Sequence, residues 1–138
     1  MRVEAPIKVD RKTKRLAKRL TGREIAVINH MDIDEVAANS LVEGKVKLVI
    51  NAAQSISGKY PNKGPGILTD KNILIIDNVG QELFDELKEG QIIEVNNGQI
   101  YRDGQLLGEG SVLDKDKVAI KIKEAYDNMS VELDRFID

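Results

Sequence analysis

Apolar residues along this chain fall in short runs set off by polar punctuation, and the spacing of the runs predicts alternating strands and helices. Glu24-Ile25-Ala26-Val27-Ile28-Asn29 is a continuous apolar run between polar ends, the mark of a strand buried on both faces. Asp32 is placed to cap a following helix, with Glu35 at the third position as in a capping box. That helix is expected to run to about Glu43 with Val36, Ala37, Ser40 and Leu41 on one side, and Gly44 stops it. Lys47-Leu48-Val49-Ile50-Asn51 is a second buried strand. Strand, helix and strand without a hairpin turn make a βαβ unit, so the two strands are expected to be parallel with a right-handed crossover.

The pattern then breaks. Ala52 to Gly66 is too polar and too rich in Gly and Pro for a regular element, and a loop of that length inside one domain is usually functional or mobile. Ile67 to Lys71 predicts a short helix and Asn72 to Asp77 a third buried strand. Gly80 and Gln81 open another helix, whose Leu83, Phe84 and Leu87 share a face. Beyond Gly90 the pattern becomes a meander: Ile92, Ile93 and Val95 form a strand, Asn97-Gly98 a hairpin turn, Ile100-Tyr101-Arg102 the return, and Asp103-Gly104 a second tight turn before Leu106-Leu107-Gly108. From about Asp114 the pattern is helical to the end, with Val118, Ile122, Ala125 and Met129 spaced for one buried face and Val131, Leu133, Phe136 and Ile137 continuing the apolar content. This helix reads as cut in mid-course, so a longer protein is expected. Its partly orphaned face makes a homodimer a plausible arrangement. At the other end, Thr13 to Leu20 reads as a short basic helix with Leu16 and Leu20 as its apolar stripe.

Composition adds mainly exclusions. The 138 residues contain no cysteine and one histidine, which excludes disulfides, thiolate metal sites, cysteine nucleophiles and multi-histidine metal sites. There is no Trp and aromatics are 4%, a poor platform for stacking single-stranded nucleic acid. No apolar run reaches the length of a membrane helix, and no N-terminal signal peptide is visible. The net charge of −2 conceals an asymmetry: residues 2–23 carry a balance of +7 and the rest of the chain −9. The basic segment is expected to be an arm, in which Arg11, Lys12, Lys14, Arg15, Lys18 and Arg19 meet an acidic partner or an anionic lipid surface. Its alternative is to lie on its own acidic domain or in solvent. Nucleic acid is the weakest of the readings.

Candidate chemistry gathers at the ends of the three apolar strands, because loops at the C-terminal ends of parallel strands converge. On that argument His30, Asp32, Asn51, the loop residues Ser55, Ser57, Lys59, Tyr60 and Asn62, and Asp77 share one surface and are the candidate ligand-binding residues. Each has a plainer reading. His30 with Asp32 or Asp34 suits a base and its orienting carboxylate, or a surface or capping histidine. Asp77 and Asn78 suit a ligand contact or a turn. Ser55-Ile56-Ser57-Gly58-Lys59 has the hydroxyls, Gly and Lys of a phosphate cradle but not the spacing of an NTPase P-loop. Asp32, Asp34 and Glu35 suit complementation of a helix dipole as well as they suit Mg²⁺. No Ser-His-Asp set is assembled from the single histidine.

Two resemblances cover most of the chain. Gly22 to Tyr101 resembles the swivelling β/β/α domain of phosphoenolpyruvate-utilising enzymes in its order of elements and in "KEGQIIEVNNGQIY" (Lys88 to Tyr101). In that family the loop after the second strand carries a catalytic histidine. The matching slot here is near Asn62 and Lys63, so the resemblance implies a shape without phosphohistidine chemistry. The runs "VDRKTKRLAKRL" (Val9 to Leu20), "AVINHMDIDEVAANSLVEGKVKLVINAAQSISGKYPNKGPGIL" (Ala26 to Leu68) and "IIDNVG" (Ile75 to Gly80) resemble the N-terminal region of SteA-type proteins, bacterial cytokinetic-ring proteins linked to cell separation. In that family a domain similar to thiamin pyrophosphokinase follows, and then hydrophobic segments that attach the protein to the membrane.

The expectation is therefore an α/β chain: a basic N-terminal arm (1–22), a swivelling β/β/α-type domain with a parallel βαβ part plus a β-meander (23–112), and the start of a helix leading onward (113–138). The resemblance implies a non-catalytic domain of a cell-division protein, partnered by septal proteins at the cytoplasmic side of the membrane. The alternative is a ligand-closing domain of a thiamin pyrophosphokinase-like protein, acting on a nucleotide or diphosphate held jointly with the following domain.

Overall fold

Both faces of the central strands are apolar, and both are covered. The computed structural model describes residues 1–137, with side chains through Ser130. In order, the elements are β1 (Arg2–Val9), α1 (Thr13–Ala17), β2 (Ile25–Ile28), α2 (Glu35–Glu43), β3 (Leu48–Asn51), α3 (Gly64–Asp70), β4 (Ile75–Asp77), α4 (Gln81–Glu86), β5 (Ile92–Asn96), β6 (Gln99–Arg102), β7 (Gln105–Glu109), β8 (Ser111–Leu113) and α5 (Lys115–Ile137). The strands form one mixed sheet in the order β7-β6-β5-β1-β2-β3-β4-β8. Strands β1 to β4 are mutually parallel. The meander strands β5 to β7 and the strand β8 pair antiparallel.

The two-residue period of a strand sends alternate side chains to opposite layers. Ala26 and Ile28 of β2, Val49 of β3 and Ile75 of β4 join Leu16 of α1, Leu41 of α2, Leu68 of α3 and Val118 of α5 in one core. Ile25, Val27, Leu48, Ile50 and Ile76 point the other way, into a second core with Ile7, Ile93, Val95, Ile100 and the α4 residues Leu83 and Phe84. The two ends of the sheet are adjacent in sequence. Only Gly110 separates β7 from β8, so the sheet curls round until its two edges are successive halves of one extended segment. A side chain at Gly110 has no room, since a Cβ there would lie 2.5 Å from the Asp77 carbonyl oxygen and 2.7 Å from Val79 Cγ1.

Residues 1–22 depart most from expectation. Arg2–Val9 is a strand inside the sheet, not an arm. Its apolar positions Val3, Ala5, Ile7 and Val9 alternate with charged residues and Pro6, the period of a strand, although Pro6 and the basic residues that follow give the segment the look of a charged arm. Pro6 sits where β1 changes partner: residues 2–6 pair with β5 and residues 7–9 with β2, so the ring nitrogen is not called on to donate. Helix α1 is also docked, with Leu16 fully buried. The cap of α2 is Asp34, whose Oδ1 accepts from Ala37 N at 2.7 Å, rather than Asp32. Asp32 stands at φ 54°, outside any helix. Helix α3 begins at Gly64 instead of Ile67 because Pro65 is pre-set for a first turn. Strand β4 is shortened to Ile75–Asp77 because Asn72 turns the chain at φ 60°. In α5, Val118 and Ala125 are buried and Ile122 packs on the helix-side core. The side chains of Val131, Leu133, Phe136 and Ile137 lie outside the described residues. No helix among the described residues is long and apolar enough to cross a membrane.

Candidate functional site

The loop after β3 is held on both sides. Asp32 and Ile33 donate their backbone N–H groups to the carbonyls of Gln54 and Ser55 on one side, and Asn78 and Gly80 donate to Ala53 and Ala52 on the other. Asn51, with no exposed surface, is the knot: its Oδ1 accepts from His30 N at 3.0 Å and Ala53 N at 3.1 Å. Its Nδ2 donates to His30 O at 2.9 Å and to Ser55 Oγ at 2.8 Å. Ser55 N donates in turn to Asp77 Oδ1 at 2.9 Å. The Asp32 carboxylate accepts from Ser57 N at 2.7 Å and from Ser57 Oγ at 2.9 Å, which explains its left-handed backbone: it faces the loop and not the helix. Asn62 Nδ2 donates to Ile33 O and Ser55 O at 3.0 and 2.8 Å, while its buried Oδ1 has no partner among the described residues. Gly64 lies against the same carbonyl, where a Cβ would approach Ile33 O to 2.2 Å.

The strand ends thus converge as sequence reasoning expects. His30, Asp32, Asn51, Ser55, Ser57, Asn62 and Asp77 lie in one connected network. Most of that network is spent within the protein. Lys59 and Tyr60, at the tip of the loop, are the members left outside it: both are exposed, Tyr60 to 50%, with no side-chain hydrogen bond or ion pair among the described residues. The tip itself is anchored from behind by Asn128 of α5, whose Nδ2 donates to Gly58 O at 2.9 Å.

Burial pushes the Asp77 carboxyl above its ordinary value, against the opposing pull of the Ser55 hydrogen bonds and the more distant charge of Lys121. A raised carboxyl is the form that folding favours when protonated. Its contribution is present below the unfolded value of about 3.9 and is lost as pH rises through the folded value. Asp77→Asn keeps an oxygen to accept from Ser55 N and carries no charge to bury. Its thermal midpoint at pH 7 is expected to equal or exceed that of wild type. The wild-type advantage on acidification from pH 7 toward pH 4 should be reduced by the substitution. A midpoint at pH 7 several degrees below wild type would show that the carboxylate is needed as an ion.

The six basic residues of the N-terminal segment divide into two groups. Asp10, 8% exposed, receives Arg15 Nε at 2.7 Å, Arg15 Nη2 at 2.8 Å, Arg19 Nη1 at 3.1 Å and Lys12 N at 3.0 Å. The Arg15 hydrogen bonds, with those from Lys12 N and Arg19, hold its carboxyl far below the usual carboxylate range against the cost of burial. Arg19 also pairs with Glu89 at 2.8 Å. These two arginines fasten α1 to β1 and to the turn before β5. Arg11, Lys12, Lys14 and Lys18 are exposed and have no ion-pair partner among the described residues. One further contact was not legible in the sequence: Thr13 Oγ1, in a buried residue, lies 2.8 Å from His30 Nδ1. No alternation or motif links positions 17 apart on different elements. Among the described residues, no group of three or more Asp, Glu or His side chains is placed to hold a metal ion.

No protein-family model matches this chain. No curated protein matches it either. Among solved structures, the chain is similar to the crystal structure of 3-isopropylmalate dehydratase (leuD) from Methanocaldococcus jannaschii, with a TM-score of 0.55 and 11% sequence identity over 98% of this chain and 99% of that one. At that identity the likeness is one of fold.

Proposed function

We propose that this chain is a swivelling β/β/α-type interaction domain, from the N-terminal region of a SteA-type bacterial cell-division protein, which acts without catalysis in septum assembly and the control of cell separation. The observation that carries the reading is the division of labour in the loop after β3. Its polar base is consumed in holding the loop in one shape, and its tip offers Lys59 and an aromatic ring to solvent. A surface of this kind suits docking, since Tyr supplies contact area at low entropic cost and Lys supplies charge. The loop is also the most distinctive part of the resemblance, "NAAQSISGKYPNKGP". The exposed cations beside α1 add a second contact, toward an acidic septal partner or anionic lipid at the cytoplasmic face of the membrane. The alternative reading, a domain that closes over a nucleotide or diphosphate, draws on the same loop, but Asn51, Ser55 and Ser57 already have partners inside the protein.

The test is a Lys59→Glu/Tyr60→Ala double variant of the full-length protein in its own bacterium. The variant is expected to keep the wild-type thermal midpoint, to lose septal localisation and to leave cells in chains. Normal localisation and separation in the variant, or absence of the wild-type protein from the septum, overturns the reading.

A further inference from the structure

His30 and the basic residues upstream of it belong to different elements, and the fold sets them around one cleft of about 320 Å³ between the start of α1 and the start of α2. Arg11, Lys12 and Lys14 line it together with Thr13, His30 and Asp34. Three features set this cleft apart from an ordinary basic surface. First, its cations are uncommitted among the described residues, whereas Arg15 and Arg19 nearby are bound to Asp10 and Glu89. Second, the histidine is held. The Thr13 hydroxyl lies 2.8 Å from Nδ1, and both the N–H and the carbonyl of His30 are bonded to the buried Asn51 side chain. The ring nitrogen left to face the cleft is Nε2. Third, one carboxylate faces three cations there. Asp34 Oδ1 accepts from Ala37 N, and Oδ2 lies at ion-pair distance, 3.9 Å, from His30 Nε2, which leaves Arg11, Lys12 and Lys14 in excess.

We propose that this cleft binds a phosphate monoester, with His30 Nε2 and the side chains of Arg11, Lys12 and Lys14 around its oxygens. A dianion suits three cations opposed by one carboxylate. The guanidinium fork and the point charges of the lysines are the donor types that bind phosphate oxygens. An anion at Nε2 selects the ring form in which that nitrogen carries its proton. The volume stands at the lower end of small-ligand pockets, roughly 300–1,000 Å³, with room for the phosphate and a small carrier. The carrier is a soluble metabolite or the headgroup of a phosphatidate. The site deepens the second contact proposed above for the cations beside α1 and rests on it only there: Lys59 and Tyr60 take no part in the cleft, so each test can fail while the other succeeds.

His30 is the only histidine, so its imidazole gives one NMR signal that reports on this cleft alone. The signal is followed while inorganic phosphate is added at constant ionic strength, then while vesicles of phosphatidate or phosphatidylglycerol are added at equal surface charge. A saturable shift with phosphate that weakens at least tenfold in an Arg11→Ala/Lys14→Ala variant is the expected result, with the variant's thermal midpoint unchanged. Preference for phosphatidate over phosphatidylglycerol assigns the headgroup as carrier, a response to phosphate but to neither vesicle assigns a soluble ester, and an equal response to the two vesicles shows only attraction to an anionic surface and overturns the site. Silence toward both phosphate and phosphatidate overturns the site, as does a shift of equal size and midpoint in the variant.

Discussion

Asn51→Leu is expected to lower the thermal midpoint more than any other single substitution at the strand ends. Leucine fills a similar volume but makes none of the four hydrogen bonds of Asn51. The N–H and carbonyl of His30 and the N–H of Ala53 then lose their partner at a place where water reaches only in part. Each stranded group costs about 1–3 kcal/mol, and the sum is about 4 kcal/mol after allowing for partial hydration. For a chain of this length that is about 15 °C in the midpoint, read by calorimetry. The loop should loosen with it, because Ser55 loses the amide that positions its hydroxyl. Amide exchange at Ala53, Ser55 and Ser57 should accelerate relative to the β5–β6 hairpin, which the substitution does not touch. A midpoint within about 3 °C of wild type would mean that the strand ends hold the loop without the knot.

Gly110→Val is expected to be nearly as damaging, for a steric reason. The first added carbon meets a backbone carbonyl and two side chains, at 2.5 Å (Asp77 O), 2.7 Å (Val79 Cγ1) and 3.0 Å (Ile76 Cγ2). The carbonyl belongs to β4, which pairs with β8 through Ile75 and Leu113, Ile76 and Val112, and Asp77 and Ser111. Relief therefore means moving β8 off β4 and opening the curl of the sheet. Overpacking of this kind costs about 3 kcal/mol, and more where backbone must move. The variant should show a lower denaturation midpoint and fast exchange at Val112 and Leu113. A loss of stability below about 0.5 kcal/mol would show that the junction between β7 and β8 has slack.

Strands β2 and β3 and the β5–β6 hairpin were legible in the sequence because their signals are local: continuous apolar runs in the first two, and Asn97-Gly98 between alternating residues in the third. Strand β1 carries the alternation of Val3, Ala5, Ile7 and Val9, but Pro6 and the basic residues after it give the segment the look of a charged arm, and its place in the sheet rests on partners far along the chain. Strand β8 has three residues, and only its pairing with β4 gives it meaning. The helix cap was misplaced by two positions because Asp32 and Asp34 are equivalent as acids. What separates them is the left-handed backbone at Asp32, set by its bonds to Ser57. At the site, convergence of the strand ends followed from parallel topology. The distinction between residues that hold the loop and residues that it presents did not, because it depends on partners such as Asp32 and Ser57, 25 positions apart. The same holds for the cleft at His30, where a threonine with no sequence signal fixes the ring.

The position of β1 in the sheet has a consequence for how the chain is made. Its parallel partner β2 follows after the single short helix α1, but its antiparallel partner comes late: the Met1 amino group bonds Asn97 Oδ1, 96 positions on. At a synthesis rate of about 5–20 residues per second, the first strand waits about 5–20 s for the second of its neighbours. Through that interval one edge of β1 stands open on the ribosome, with the charges of Arg2, Glu4 and Lys8 as its guard against pairing with another nascent chain. The charges that give the segment the look of an exposed arm are the ones that protect it before its sheet exists.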